Sequence, residues 1–221
     1  MIILIGSNKG GTGKTTTALN LASILGSNNR VLLVDADNQQ SLYQWNAIRE
    51  DSGLDGFDCI TSYGQIAKEV LEYSQDYDVT IVDAAGRNSE EFLNMLGVCD
   101  VFISPIQVTQ IDLNTLINLN DQIELLKTIN PNLVHNSFVL HSRATTNIFI
   151  QHQERKDLED FVGELESLSL LNATISERKI FKDSSSYGKG IYDYQDDSKH
   201  TKALDEYLFL LEEIYTKGRK E

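Results

Sequence analysis

Gly6-Ser7-Asn8-Lys9-Gly10-Gly11-Thr12-Gly13-Lys14-Thr15-Thr16 is the stretch on which the reading of this chain turns. It follows an apolar, strand-like run, Ile2–Gly6, and opens a helical pattern over Thr15–Leu25 that stops at Gly26. Glycines at 10, 11 and 13 let backbone N–H groups curl around phosphate oxygens, and the helix N-terminus adds positive potential there. Lys14 is spaced to reach the β- and γ-phosphates, and the Thr15 hydroxyl to coordinate Mg²⁺. Thr12 and Thr16 complete the cradle. A strand, a glycine-rich loop and a helix in that order define a nucleotide site. Lys9 is a second lysine within the loop. Its charge is one more than a phosphate already met by Lys14 requires, unless it is simply a solvated loop lysine.

Outward from the loop, short apolar runs alternate with longer helical patterns. Strands are expected at Val31–Asp35, Phe57–Thr61, Val79–Asp83, Val101–Pro105, Ser137–His141 and Ala173–Ser176. Helices are expected at Ser41–Glu50, Gln65–Tyr73, Leu113–Thr128, Ile148–Phe161 and Leu204–Tyr215. Several strands are continuously apolar and end in a carboxylate or glycine, the pattern of a parallel sheet covered on both faces. The alternation predicts an α/β fold with a doubly wound, mostly parallel sheet flanked by helices. Ligands of such sheets lie beyond the C-terminal strand ends, where Asn8–Thr16, Asp35–Gln40 and Asp83–Arg87 should converge.

Composition narrows the function classes. Apolar residues make up 41% and charged residues 24%, ordinary values for a globular domain, and no window approaches a membrane span. Cys59 and Cys99 form no CxxC pair, so neither a zinc site nor a disulfide framework is indicated, and a cytoplasmic location is expected. A net charge of −14 argues against a surface that grips nucleic acid everywhere, but leaves room for a local patch. Basic residues are densest in the last third: residues 151–221 hold 11 of them, residues 1–150 only 8. Neither repeat nor linker interrupts residues 1–221, which are expected to form one domain.

With the full loop Lys9-Gly10-Gly11-Thr12-Gly13-Lys14-Thr15-Thr16, the chain resembles the ParA/MinD family of deviant Walker A ATPases. The resemblance implies a P-loop NTPase using ATP and Mg²⁺, in which Lys9 reaches the partner's phosphates across a nucleotide-sandwich homodimer. Lys9 and Lys14 would then stabilise transition-state charge. Leu32-Leu33-Val34-Asp35-Ala36-Asp37-Asn38-Gln39-Gln40 is similar to the family's DxDPQ motif. This implies that Asp37 orients the attacking water and that Asp35 assists magnesium or positions the loop. Asn38 replaces the usual proline; asparagine also favours turns. Asp78-Val79-Thr80-Ile81-Val82-Asp83 resembles a Walker B strand, with Asp83 holding Mg²⁺ through water. Arg143, at the exit of Ser137–His141, is either the base-contacting side chain or an exposed loop arginine. The segment from Ala173 through Tyr194, with its Tyr187-Gly188-Lys189 turn, is similar to the family's C-terminal segment.

Within this family the partner decides the function. Asp205, Glu206, Glu212 and Glu213 are expected on the polar face of the last helix, which disfavours an anionic membrane. What remains is a small partition-type ATPase that starts directly at the first strand, with no N-terminal operator-binding domain. Its ATP dimer would hold DNA nonspecifically, and a centromere-binding or cargo adaptor protein would stimulate hydrolysis to segregate plasmid or chromosomal DNA. Arg178, Lys179, Lys182 and Lys189 are the expected DNA contacts, set against an ordinary solvated charged face. Two alternatives use the same loop. One is a relative that positions another cargo, for secretion, conjugation or cellulose synthesis. The other is a small-molecule ligase of the dethiobiotin synthetase type, which needs neither Lys9 nor a basic patch.

Overall fold

The strands expected from the apolar runs pair in parallel into one seven-stranded sheet. The computed structural model describes residues 1–62, 64, 66–85, 90–108, 113–195 and 197–217, with the backbone alone at 113 and 114. Its strands are β1 (Ile2–Ile5), β2 (Val31–Ala36), β3 (Asp58–Thr61), β4 (Val79–Ala84), β5 (Val101–Ile106), β6 (Ser137–Ala144) and β7 (Ser169–Ser176). The helices are α1 (Lys14–Leu25), α2 (Ser41–Asp51), α3 (Ile66–Tyr73), α4 (Glu90–Leu96), α5 (Leu113–Leu126), α6 (Ile148–Val162), α7 (Lys179–Ser185) and α8 (Thr201–Lys217). The sheet order is β3-β2-β4-β1-β5-β6-β7. The doubly wound α/β expectation holds. The helix α4 was not expected: Glu90–Leu96 is too short to show a period. The strand β7 begins four residues before the expected Ala173, because its first half pairs with Phe138 and Val139 of β6.

The period-two alternation of side chains divides the core between the two faces of the sheet. Ile3 and Ile5 of β1 pack with Leu33, Ile81, Ile103 and Phe138 under α1, α2, α7 and α8. Ile2 and Leu4 pack with Leu32, Val34, Val82 and Phe102 under α3 to α6. The five inner strands β1, β2, β4, β5 and β6 are therefore buried on both sides, the reason their sequences show apolar runs rather than alternation, while the edge strands β3 and β7 are partly exposed.

The acidic face expected on α8 is corrected by the structure. Glu206 and Glu213 face β7, where Glu213 accepts the N–H groups of Asn172 (2.8 Å) and Ala173 (2.9 Å) and Glu206 that of Ser176 (3.1 Å). Outward N–H groups of an edge strand need acceptors, and two helix carboxylates supply them.

Candidate functional site

Strand order brings three loops together. In the parallel ladder β2-β4-β1, Ile5, Asp83 and Asp35 lie level with one another. The glycine-rich loop leaves β1 at that level, the Asp37 turn leaves β2, and Asp83 ends the same row on β4. Gly13 caps α1 at φ 98°, and a Cβ there would stand 2.7 Å from the Ser142 hydroxyl oxygen. Only glycine fits this position. Lys14 is buried, and its ammonium donates back to the Lys9 carbonyl at 3.1 Å, spanning the loop. Gly10 and Gly11 stand exposed at the rim, with Lys9 half-buried beside them.

The carboxylates are arranged for a cation. Thr15 Oγ1 donates to Asp83 Oδ2 at 2.6 Å. Asp83 Oδ1 is buried and accepts no hydrogen bond among the described residues. Burial pushes the Asp83 carboxyl up to about 7; the Thr15 hydroxyl opposes this, and the neighbouring Asp35 adds to it. Asp35 is fully buried too and its pKa is raised by that burial, partly offset by N–H groups from Tyr43 and Asp37. A buried, unpartnered oxygen on a reluctantly ionised acid, beside a second buried acid and a threonine hydroxyl, fits a hard divalent cation. Thr15 and Asp83 would hold it. Asp35 is occupied otherwise: its oxygens accept the N–H of Asp37 (3.0 Å) and of Tyr43 (2.9 Å), which fixes the turn and the start of α2.

That turn closes with Asn38 in it. The N–H of Gln40 reaches the Asp37 carbonyl at 2.8 Å, and that of Gln39 reaches Asp37 Oδ1 at 2.9 Å. Gly86 and Arg87, expected beside Asp83, lie outside the described residues.

A cavity of about 300 Å³ opens next to Gly13 and Thr16, between the exits of β6 and β7 and α7. Its size suits a nucleoside at the lower end of ligand pockets. Arg143 lies on its wall in a left-handed backbone conformation, φ 52°. Its guanidinium donates to the Gly11 carbonyl at 2.7 Å and pairs with Glu177 at 2.5 Å. Ser142 and Glu177 had no signal in the sequence. Asn20 had one, a polar residue amid the apolar run of α1; its Oδ1 accepts the Ile191 N–H at 2.7 Å and bolts the C-terminal segment to the helix behind the loop. A larger hollow of about 430 Å³ lies at the opposite sheet edge, near Arg30, Arg49 and Tyr77, away from all of these groups.

The structure divides the basic quartet. Arg178 also lines the nucleoside-sized cavity, and its guanidinium is held by Glu206 at 2.6 Å. Lys189 stands over the Tyr194 ring at 5.0 Å. Lys179, 88% exposed at its side chain, pairs with Asp183 at 3.6 Å, and the exposed Lys182 sits one turn farther along α7. Residues 218–220 of the basic tail lie outside the described residues.

These features define a P-loop nucleotide-binding protein. Residues 3–191 match the family described as the CobQ/CobB/MinD/ParA nucleotide binding domain. The chain belongs to that family. It is 36% identical over 117 residues to the maintenance of carboxysome distribution protein A of Gloeobacter kilaueensis, covering 52% of this chain and 53% of that protein. It is 27% identical to the chromosome-partitioning ATPase Soj of Thermus thermophilus, over 59% of this chain and 65% of Soj. The matched part thus spans about half to two-thirds of these curated relatives. Among solved structures, a plasmid partition protein of Borrelia burgdorferi bound to AMPPNP superposes with a TM-score of 0.69 at 22% identity, covering 96% of this chain and 98% of that one. That likeness is one of fold. No helix among the described residues is long and apolar enough to cross a membrane.

Proposed function

We propose that this protein is a partition-type ATPase whose ATP-bound form is a two-fold dimer that binds DNA nonspecifically, and that a partner protein stimulates hydrolysis. The observation that carries the reading is the pair of lysines in one loop. Lys14 lies inward across the loop, onto the Lys9 carbonyl, while Lys9 sits at a rim of exposed glycines that a second molecule could approach.

The chain's own groups divide the work. Loop N–H groups and Lys14 bind the phosphates, with Gly13 allowing the backbone to come close. Thr15 and Asp83 would hold Mg²⁺, which would neutralise phosphate charge when bound. Asp37, fixed by Asp35 beneath it, orients the attacking water. Lys9 meets the partner's phosphates and so links nucleotide occupancy to dimerisation. Arg143 and the cavity beside it take the base and ribose. Lys179, Lys182 and Lys189 are the proposed DNA contacts; Arg178, paired with Glu206, contributes less. The named relatives serve chromosomes, plasmids and carboxysome distribution, so the cargo stays a class: DNA or a large assembly carried through an adaptor. A small-molecule ligase of the same fold has no use for a second loop lysine.

The test is sedimentation with Mg²⁺ and ATP. Lys9→Ala should keep nucleotide affinity through Lys14 yet remain monomeric. Asp37→Ala should dimerise while its turnover falls by at least about 100-fold, the scale of losing a water-orienting group. An ATP-dependent dimer of undiminished strength in Lys9→Ala removes the dimer mechanism from this protein.

A further inference from the structure

We propose that Ile148, Phe149 and Ile150, the first turn of α6, form the apolar anchor of the contact between two copies of this chain. The inference rests on the dimer reading above and adds to it which surface the second copy meets.

Three consecutive large apolar side chains stand in solvent here: Ile148 is 77% exposed, Phe149 88% and Ile150 52%. They are not a frayed end. Asn147 Oδ1 caps the helix by accepting the N–H of Phe149 at 3.1 Å and that of Ile150 at 3.4 Å. Gln151 ties the same turn to the Thr145 carbonyl (3.0 Å) and the Ser176 hydroxyl (3.3 Å). Farther along, Leu158 and Val162 seat α6 in the core. A firmly held turn that spends its capping bonds on displaying apolar groups has a surface to meet.

Position and charge select the occupant. Because α6 starts where parallel β6 ends, the triplet lies at the same sheet edge as the phosphate loop. Arg143, five residues earlier, is hydrogen-bonded to Gly11. A second copy close enough for its phosphates to meet Lys9 covers this edge. No charged residue occurs from Ala144 through Gln153. Two copies carrying −14 each repel one another, and a two-fold contact sets like surfaces against like. A neutral apolar patch escapes that penalty. The same absence of cations disfavours a DNA backbone or an anionic lipid surface as its occupant.

The area also fits. Three such side chains at these exposures present roughly 300–400 Å², the size of a functional apolar patch. Two copies together contribute about 600–800 Å², near half of a standard interface of about 1,600 Å². The patch is thus too small to hold a dimer alone, and the remainder falls to the phosphate loop, Lys9 and the nucleotide. Dimerisation then depends on ATP while drawing much of its energy from α6.

The experiment uses the full chain with Mg²⁺ and a non-hydrolysable ATP analogue, read by sedimentation equilibrium. Phe149→Ser should weaken the dimer by at least about tenfold, and adding Ile148→Thr should weaken it further, as truncated anchors do. Phe149→Leu, which keeps an apolar group, should stay within about threefold of the original chain. Nucleotide affinity of the monomer and the melting temperature should not fall, since the exposed triplet supports neither. An unchanged dimer in the double variant overturns this inference and leaves the dimer reading standing. The same holds if that variant dimerises normally but loses stimulation by a partner protein. An unsubstituted chain that stays monomeric with the analogue overturns the dimer reading itself.

Discussion

The buried residue His141 makes the fold sensitive to acid. It is fully buried on β6, and neither ring nitrogen has a hydrogen bond among the described residues. Burial lowers its pKa to about 4, and the nearby Arg155 charge acts in the same direction. The Glu154 carboxylate stands 3.6 Å from Nε2, too far for a hydrogen bond, and does not reverse this. A histidine held below its unfolded value of about 6.5 contributes stability that is full above that pH and lost as the pH falls toward 4. Between pH 7.5 and 5 the loss from this residue should be about 2 kcal/mol. Urea unfolding of the original chain and of His141→Asn at both pH values measures it. The substituted chain should show a pH dependence weaker by that amount; an equal dependence would exclude His141 as the source. The buried carboxylate of Asp83 follows the same physics, its pKa raised by burial, as suits the cation ligand proposed for it.

Among the elements, β7 and α8 depend on each other most visibly. Glu213 is buried, which on its own pushes its carboxyl up, but N–H groups from Asn172 and Ala173 and the Lys217 ammonium outweigh that and the pKa is lowered. Replacing it with Ala would leave two edge-strand N–H groups without their acceptor. A loss of about 2–4 kcal/mol is expected from one or two unsatisfied buried groups, together with concentration-dependent aggregation through the uncovered edge. Denaturant unfolding and light scattering check the two effects. Glu212→Ala, one residue away on the exposed side of α8, should do neither. The turn after β2 shows the same economy: Asp35 closes it by accepting two N–H groups, so Asn38 stands where the family's proline is usual without opening the loop.

For the whole molecule, the proposed DNA binding depends on the arrangement of basic groups against a charge of −14. With Arg178 held by Glu206 and Lys179 in an exposed ion pair with Asp183, each copy offers Lys182 and Lys189 outright and Lys179 by exchange of that pair, and a dimer roughly four to six phosphate contacts. Log affinity should then fall with log salt at a slope of about −4 to −5, only in the presence of ATP, and equally for all sequences. Lys179→Ala with Lys182→Ala should flatten that slope while leaving the dimer intact. An unaltered slope would move the DNA surface elsewhere on the chain.

The fold was legible because its determinants are local. A glycine-rich loop between a strand and a helix, two-faced apolar runs, and carboxylates at strand ends are each written within a dozen residues. Backbone stereochemistry and hydrophobic periodicity act over that same range, so the loop with Lys14 and Thr15 could be read from its own residues, while a role for Asp83 came only from the family resemblance of its strand. The partners of individual side chains were not legible. Arg178 looks like a free surface cation until Glu206, 28 residues on, is folded against it. Arg143 meets a carbonyl 132 residues before it. Glu206 and Glu213 share a helix with exposed acids and differ only in what β7 presents to them. Ile148-Phe149-Ile150 has the composition of a core segment, yet it stands in water. Burial and pairing depend on which surfaces the chain topology brings within a few ångströms, and those long-range contacts settle whether a lysine, a carboxylate or an apolar turn is structural or available for function.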